Sequence, residues 1–346
     1  MNVSGSAMLR LSLKLKGLKN IIRKFSKENY SNLEKRVSEA HEALLLFQNR
    51  TLANPNTSNA EQELEAERKW KILQSAEESF FCQRSSISWL ADGDSSTTFF
   101  HRMADSRKAQ NHIHYLLNAD NVKIDYDQEI RVHCVDFFSD LLGGAGPSSV
   151  LIQSDMELLL PFRCSVNQKT LLEKKFSSAE IKDAFFSLPS NKTSGPDGFS
   201  SEFFKGCWSV IGPEVIEAIS EFFSSGCLLK QWNATSLVLI PKITNAERTI
   251  DFRPISCLNT VYKVISKILA SRLKWILEQV ISPYQSAFMP GRLLAENVLL
   301  ATDVVQGYNR KNIEPRGMLK VDIRKAFDSV SWDFILSALR ALRIPK

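Results

Sequence analysis

The sequence has no Cys-x-x-Cys pair, no long uninterrupted apolar run, and no acidic residue from Met1 to Lys27. Each gap narrows the reading. Six scattered cysteines (Cys82, Cys134, Cys164, Cys207, Cys227, Cys257) and five histidines do not assemble a zinc-binding spacing, which argues against structural zinc. Several of those cysteines lie beside Phe, Leu or Trp, where a free thiol behaves as a small apolar residue in a reducing compartment, so nucleus or cytoplasm is the expected location. A membrane-crossing helix needs about 20 consecutive apolar residues, so no span is expected. The acid-free start instead gathers Arg10, Lys14, Lys16, Lys19, Arg23, Lys24 and Lys27, a composition shared with organellar presequences, which stands as the second reading of location. A net charge of +6 fits a nucleic-acid partner without demanding one.

What the chain does have is helical periodicity. Leu11, Leu15, Leu18, Ile22 and Phe25 follow a spacing that Leu33, Val37, Ala40, Leu44 and Phe47 repeat. After a polar breaker from Thr51 to Asn59, Ala66, Trp70, Leu73 and Phe80 resume the period as far as Arg84. These stripes predict a helical hairpin whose apolar faces close on each other, with helical self-association as an alternative use. Ser95 or Ser96 is expected to cap a helix presenting Phe99 and Phe100 inward; His112 to Leu117 and Val122 to Ile124 read as a β-hairpin, and Asp127 to Leu142 as a helix. Gly143 to Ser149 has linker composition. Further on, Ser177-x-x-Glu180 is a capping box for a helix through Leu188, Gly212-Pro213 should start a helix that Gly226 stops, Ser236 to Ile240 is a strand halted by Pro241, and Tyr262 to Val280 is a long helix. The expected class is mainly α with small β (α+β), divided as residues 1–87, 88–142, 143–176 and 177–346.

The run from Gly317 to Val330 says most about chemistry. Met318, Leu319, Val321 and Ile323 read as a short buried strand with Asp322 near its C-terminal end, followed by the helix of Trp332, Ile335, Leu336 and Leu339. A carboxylate there suits a hard cation such as magnesium, although Asp322 or Asp328 capping the helix would account for the same residues.

Val321-Asp322-Ile323-Arg324-Lys325-Ala326-Phe327-Asp328-Ser329-Val330 resembles the first carboxylate box of reverse transcriptases, in particular those of non-LTR (LINE-type) retrotransposons as found in plants. Upstream matches follow the family's order: Asn191 to Gly198 (Asn-Lys-Thr-Ser-Gly-Pro-Asp-Gly), Leu239-Ile240-Pro241-Lys242, Asp251-Phe252-Arg253-Pro254-Ile255-Ser256, and Ser282 to Arg292. The stretch from Ser88 to Arg102 is similar to one that precedes the polymerase region in those elements. The resemblance implies an RNA-directed DNA polymerase: an N-terminal helical hairpin and extension, then fingers and palm of a right-hand fold, acting on an RNA template, a DNA primer and a deoxynucleoside triphosphate with Mg2+. Asp322, with the Ile323 carbonyl, matches the metal-binding position, and Lys325, Ala326 and Phe327 fall at the incoming nucleotide, Phe327 where the family excludes a ribose 2′-hydroxyl. Arg253 matches the fingers arginine on the triphosphate and Lys242 its companion; a guanidinium fork suits paired phosphate oxygens. Gly195 and Asp197 fall near the template, as do Gln285, Gly291 and Arg292, while Arg102, Arg107 and Lys108 are basic candidates for the same strand. Taken alone, each of these cations is as well explained by a solvated face.

The family's second carboxylate box, an aromatic-Ala-Asp-Asp, is not matched, and no Asp-Asp pair occurs. The expectation is therefore a truncated, incomplete palm that is inactive alone, with the strand at Met318 to Ile323 left open at its edge. A non-catalytic nucleic-acid-binding remnant and a helical interaction protein are the alternatives.

Overall fold

The computed structural model describes residues 4–85, 97–143, 153–287, 289–306, 314, 319, 321 and 330–345. Among them the order is α1 (Ala7–Tyr30), α2 (Leu33–Ala53), α3 (Thr57–Ser85), α4 (Thr97–Asn111), β1 (Leu116–Leu117), β2 (Lys123–Ile124), α5 (Asp127–Gly143), α6 (Gln153–Leu159), α7 (Val166–Glu173), α8 (Ser178–Phe186), α9 (Ser201–Gly206), α10 (Trp208–Ser225), β3 (Thr235–Pro241), β4 (Phe252–Leu258), α11 (Thr260–Val280), α12 (Leu294–Val305) and α13 (Trp332–Ala341). The class is mainly α with two small two-stranded sheets, β1–β2 and β3–β4. No described helix is long and apolar enough to cross a membrane. Contacts divide the chain into two interleaved units, Met1–Lys123 with Phe185–Tyr262, and Ile124–Ala184 with Lys263–Lys346.

In the first unit the expected apolar stripe splits. Ser6 caps α1 by accepting from the Leu9 amide at 3.3 Å, and Met8, Leu11 and Leu15 are buried where α1 packs along α10. Salt bridges Arg10–Glu217 and Lys14–Glu214, each at 2.6 Å, fix that pairing at its solvent edge. Beyond Leu18 the stripe is left largely open: Ile22 and Phe25 are exposed. Asn32, with φ at 49°, then breaks the chain into α2. Only the second repeat makes the hairpin, burying Ala40 and Leu44 against Leu73 of α3. Phe80, expected inward, is exposed and Phe81 is buried in its place; of the expected inward pair on α4, Phe100 is buried and Phe99 is exposed, and Phe81 and Phe100 form the cluster with Cys82 and Met103. The α10 expectation also shifts. Gly212 and Pro213 lie inside that helix, Gly212 buried against the Trp208 ring, and Gly226 ends it in the left-handed region.

Glu77 of α3 is buried, facing His101 of α4 and Glu34 of α2. Burial pushes its carboxyl above the usual range; His101 works against this and Glu34 adds to it. A raised folded-state value means the fold binds the extra proton, so stability present below the unfolded carboxyl value is lost as pH rises through the folded one. Glu77→Gln is expected to raise the melting temperature at pH 7 and to flatten the pH dependence between pH 4 and 7; an unchanged or lower melting temperature would contradict the assignment.

In the second unit, Ile265, Ile268 and Ile276 of α11 are buried, as are Ile181 and Ala184 of α8. Ser177 accepts from the Glu180 amide at 3.1 Å, one half of the expected capping box; the reciprocal bond does not form because the Glu180 carboxylate is turned to α11. Both Glu180 carboxylate oxygens accept from Arg272 of α11 at 2.9 Å. Ala341 and Leu342 are buried where α13 meets α6, and the Cys164 amide donates to the Leu342 carbonyl at 2.8 Å. Ser331 caps α13, accepting from the Phe334 amide, in place of the expected Asp322 or Asp328, both of which lie outside the described residues. Of the expected buried strand at Met318 to Ile323, only Leu319 and Val321 are described, and they are 88% and 72% exposed. Alternation alone cannot bury them without a covering layer.

Candidate nucleic-acid interface

The sequence between Thr235 and Leu258 builds an antiparallel ribbon. β3 is rich in β-branched and leucine residues, and β4 pairs with it in the register Ile240↔Arg253, Val238↔Ile255 and Ser236↔Cys257. This second strand was not expected from the sequence, because Pro254 sits within it; a two-stranded ribbon tolerates a proline on its unpaired edge. Side chains alternate, so Phe252, Pro254 and Leu239 share the covered face while Arg253, Val238, Ile240 and Ile255 share an exposed one.

Lys242 and Arg253 thus stand at one end of the ribbon. The Lys242 amide donates to the Asp251 carbonyl and its ammonium to the Ile250 carbonyl, both at 2.8 Å, which leaves further ammonium protons unused. The Arg253 side chain is exposed and makes no hydrogen bond or ion pair with the described residues. The connection between the strands is braced by the β1–β2 hairpin: the Leu117 amide donates to the Glu247 carbonyl at 2.7 Å, Tyr115 to the Glu247 carboxylate at 2.6 Å, and Arg248 to the Asn121 side chain at 2.6 Å. That hydrogen bond to Glu247 raises the Tyr115 phenol above its ordinary value. The expected hairpin is therefore present, and it buttresses the loop of the ribbon.

α4 touches β3, and its cations lie outward, Arg102 and Lys108 exposed and Arg107 half-buried. Gly195 and Asp197 play a structural part in the same unit. The Asp197 amide donates to the Asn259 side chain at 3.1 Å, and a Cβ on Gly195 would lie 2.4 Å from both the amide nitrogen and the side-chain oxygen of Asn259. Asn259 was missed by sequence reading. It is buried directly before α11 and donates to the carbonyls of Gln231 at 2.9 Å and Trp232 at 3.2 Å, joining the Gly-Pro-Asp-Gly turn to the start of the ribbon. An asparagine just ahead of a helix signals only a cap, so this hub is not legible from the residues alone.

The second unit holds the remaining template candidates. Arg292 donates to the carbonyls of Ser282 at 2.6 Å, Gln285 at 2.7 Å and Ile281 at 3.2 Å, so its guanidinium is occupied in shaping its own loop. Gln285 donates to the Ala287 carbonyl at 3.1 Å, and Gly291, with φ at 75°, turns the chain back toward Arg292. Asp322, Ile323, Lys325, Ala326 and Phe327 lie outside the described residues. Among the described residues no group of three or more His, Cys, Asp or Glu is placed to hold a metal ion.

Residues 240–346 match the family described as reverse transcriptase (RNA-dependent DNA polymerase). The chain is 30% identical to the uncharacterized 149 kDa protein of transposon TX1 from Xenopus laevis over 75% of its own length and 20% of that protein. It is 29% identical to the Pol polyprotein of the type-2 retrotransposable element R2DM from Drosophila melanogaster over 67% of its length and 20% of the polyprotein. A probable RNA-directed DNA polymerase from transposon BS, also of Drosophila melanogaster, is 26% identical over 51% of the chain. The chain spans about a fifth of the length of these relatives. As a family, reverse transcriptases use divalent metal ions.

Proposed function

We propose, for a chain that carries a reverse transcriptase domain of the non-LTR retrotransposon kind, that it forms the template-binding extension, the fingers and the first palm segment of a LINE-type RNA-directed DNA polymerase. The observation that carries this reading is Arg253: an unpartnered guanidinium on a braced ribbon, beside Lys242, at the position where the family meets a triphosphate. In this reading the β3–β4 ribbon and the α4 cations hold the backbone of an RNA template paired to a DNA primer, and Arg253 and Lys242 take the phosphates of the incoming deoxynucleotide. A magnesium ion bound at Asp322 and the Ile323 carbonyl would neutralise charge on those phosphates. Nucleotidyl transfer by these 346 residues alone is not part of the proposal, since they contain no Asp-Asp pair.

Fluorescence anisotropy with an RNA–DNA primer–template tests the reading. Affinity should fall log-linearly with salt, and Arg102→Ala with Lys108→Ala should reduce the slope by roughly 0.7 to 0.9 per contact removed, while Arg253→Ala should weaken capture of a deoxynucleoside triphosphate by the chain–primer–template complex by about tenfold. Salt-independent primer–template binding, or an Arg253→Ala complex that takes the triphosphate like the parent, would refute it.

A further inference from the structure

Where α1 meets α2, the side chains of Ser26, Tyr30, Leu33, Ala76, Phe80 and Phe81 wall a cavity of about 670 Å³. That volume lies within the roughly 300–1,000 Å³ of ligand sites. Two of its aromatic rings are not core: Tyr30 and Phe80 are 39% and 40% exposed. Phe81 backs Phe80 edge-on with ring centroids 5.1 Å apart, and Phe25 meets Tyr30 edge-on at 6.1 Å. The rings are thus held in place while each keeps surface open to solvent.

The rim is cationic. Arg23, Ser26, Lys27 and Tyr30 fall at i, i+3, i+4 and i+7 on one face of α1, and both cations are exposed. On the opposite wall the Arg84 guanidinium lies 4.1 Å from the Phe80 centroid; Lys35 of α2 also lines the cavity but is paired with Glu39 at 3.7 Å, so the open cations are Arg23 and Lys27 with Arg84. Glu34, the acid on the lining, lies 3.8 Å from the His101 ring nitrogen. The arm of α1 leading to the groove contributes no acid from its start to Lys27. An apolar protein segment would fill the aromatic walls and leave those cations unanswered; a polyanion bearing flat rings satisfies both.

We propose that this elbow is a base-stacking site for a single-stranded polynucleotide, with one base against Tyr30 and Phe80 and the flanking phosphates on Arg23 and Lys27. The proposal rests on the nucleic-acid reading above but places a second contact on the helical arm, apart from the ribbon. An aromatic face accepts any base, so the site is sequence-tolerant and takes RNA and DNA alike.

The test is a titration of the full chain into 2-aminopurine-labelled single-stranded RNA and DNA oligomers. Binding should quench the probe. Tyr30→Leu with Phe80→Leu, which keeps apolar volume and removes the rings, should weaken binding about 5- to 100-fold and abolish quenching with the salt slope unchanged, whereas Lys27→Ala should lower the slope by roughly 0.7. Equal effects on both oligomers are expected, and a defect confined to one would overturn the sequence-tolerant site. If the leucine pair binds and quenches like the parent while Arg102→Ala with Lys108→Ala loses affinity, the groove is overturned and the template surface of ribbon and α4 stands. No binding by the parent chain overturns both. Loss of a dimer in the leucine pair, with oligomer affinity unchanged, would show a protein partner and overturn the proposal. Should the leucine pair fail to fold, photo-crosslinking of a 5-iodouracil oligomer to the parent decides: adducts on Tyr30 or Phe80 are expected, and their absence counts against the site.

Discussion

Asn259→Leu is expected to destabilise the first unit by about 3–5 kcal/mol, enough to unfold a marginal domain. Leucine fills the same space, but the Asp197 amide loses its acceptor, and the carbonyls of Gln231 and Trp232 lose their donor in a region where water does not replace it. Thr260 donates to the Phe199 carbonyl at 2.7 Å, so part of the tie between the turn and α11 survives and the loss should fall short of complete disorder. Gly195→Ala attacks the same joint from the other side, because its Cβ would sit 2.4 Å from Asn259 atoms and 2.6 Å from the Leu258 carbonyl carbon. The two changes should be strongly non-additive. Urea unfolding followed by circular dichroism gives the result; a midpoint unchanged in Asn259→Leu would mean that the turn is held by something else.

Arg272→Ala should cost the second unit about 2–3 kcal/mol, because it removes a largely covered guanidinium whose hydrogen bonds tie together a half-exposed carboxylate and two carbonyls. Arg272 makes a bidentate pair with Glu180, donates to the carbonyls of Leu172 and Lys174, and sits 3.5 Å from the Phe176 centroid. One side chain therefore closes the end of α7, the turn after it and the start of α8 onto α11. Arg272→Lys should recover little, since an ammonium cannot serve a carboxylate fork, two carbonyls and a ring face together. Recovery of parental stability by lysine, read from the same urea transitions, would reduce the site to a simple charge pair.

Periodicity made the helices legible, and a short polar segment at Asn54 to Asn56 was enough to end α2. What periodicity could not supply was the partner of each stripe. Leu11 and Leu15 read as half of a hairpin because local spacing carries no information about α10, far along the chain. A slip of one residue puts Phe81 inside where Phe80 is expected, and of the expected pair Phe99 and Phe100 only the second turns inward, because sequence alone weighs adjacent aromatics equally. The candidate site was legible as motifs and less so as geometry. Arg253 and Lys242 were picked out by resemblance, yet their placement at one end of a ribbon depended on a proline-containing strand that propensity argues against. Gly195, Asp197 and Arg292 lie in the same matched boxes, and their described contacts are with their own chain, because a motif records which residues recur together without recording what each one touches.

The most direct measurement is crosslink mapping of a 4-thiouridine RNA template, annealed to a DNA primer, on the intact chain at low salt. Crosslinked peptides are expected from the β3–β4 ribbon and from α4, weakened when Arg102 and Lys108 are replaced by alanine. Crosslinks that avoid both elements, or that persist unchanged in the alanine variant, would contradict the assignment of this face to the template.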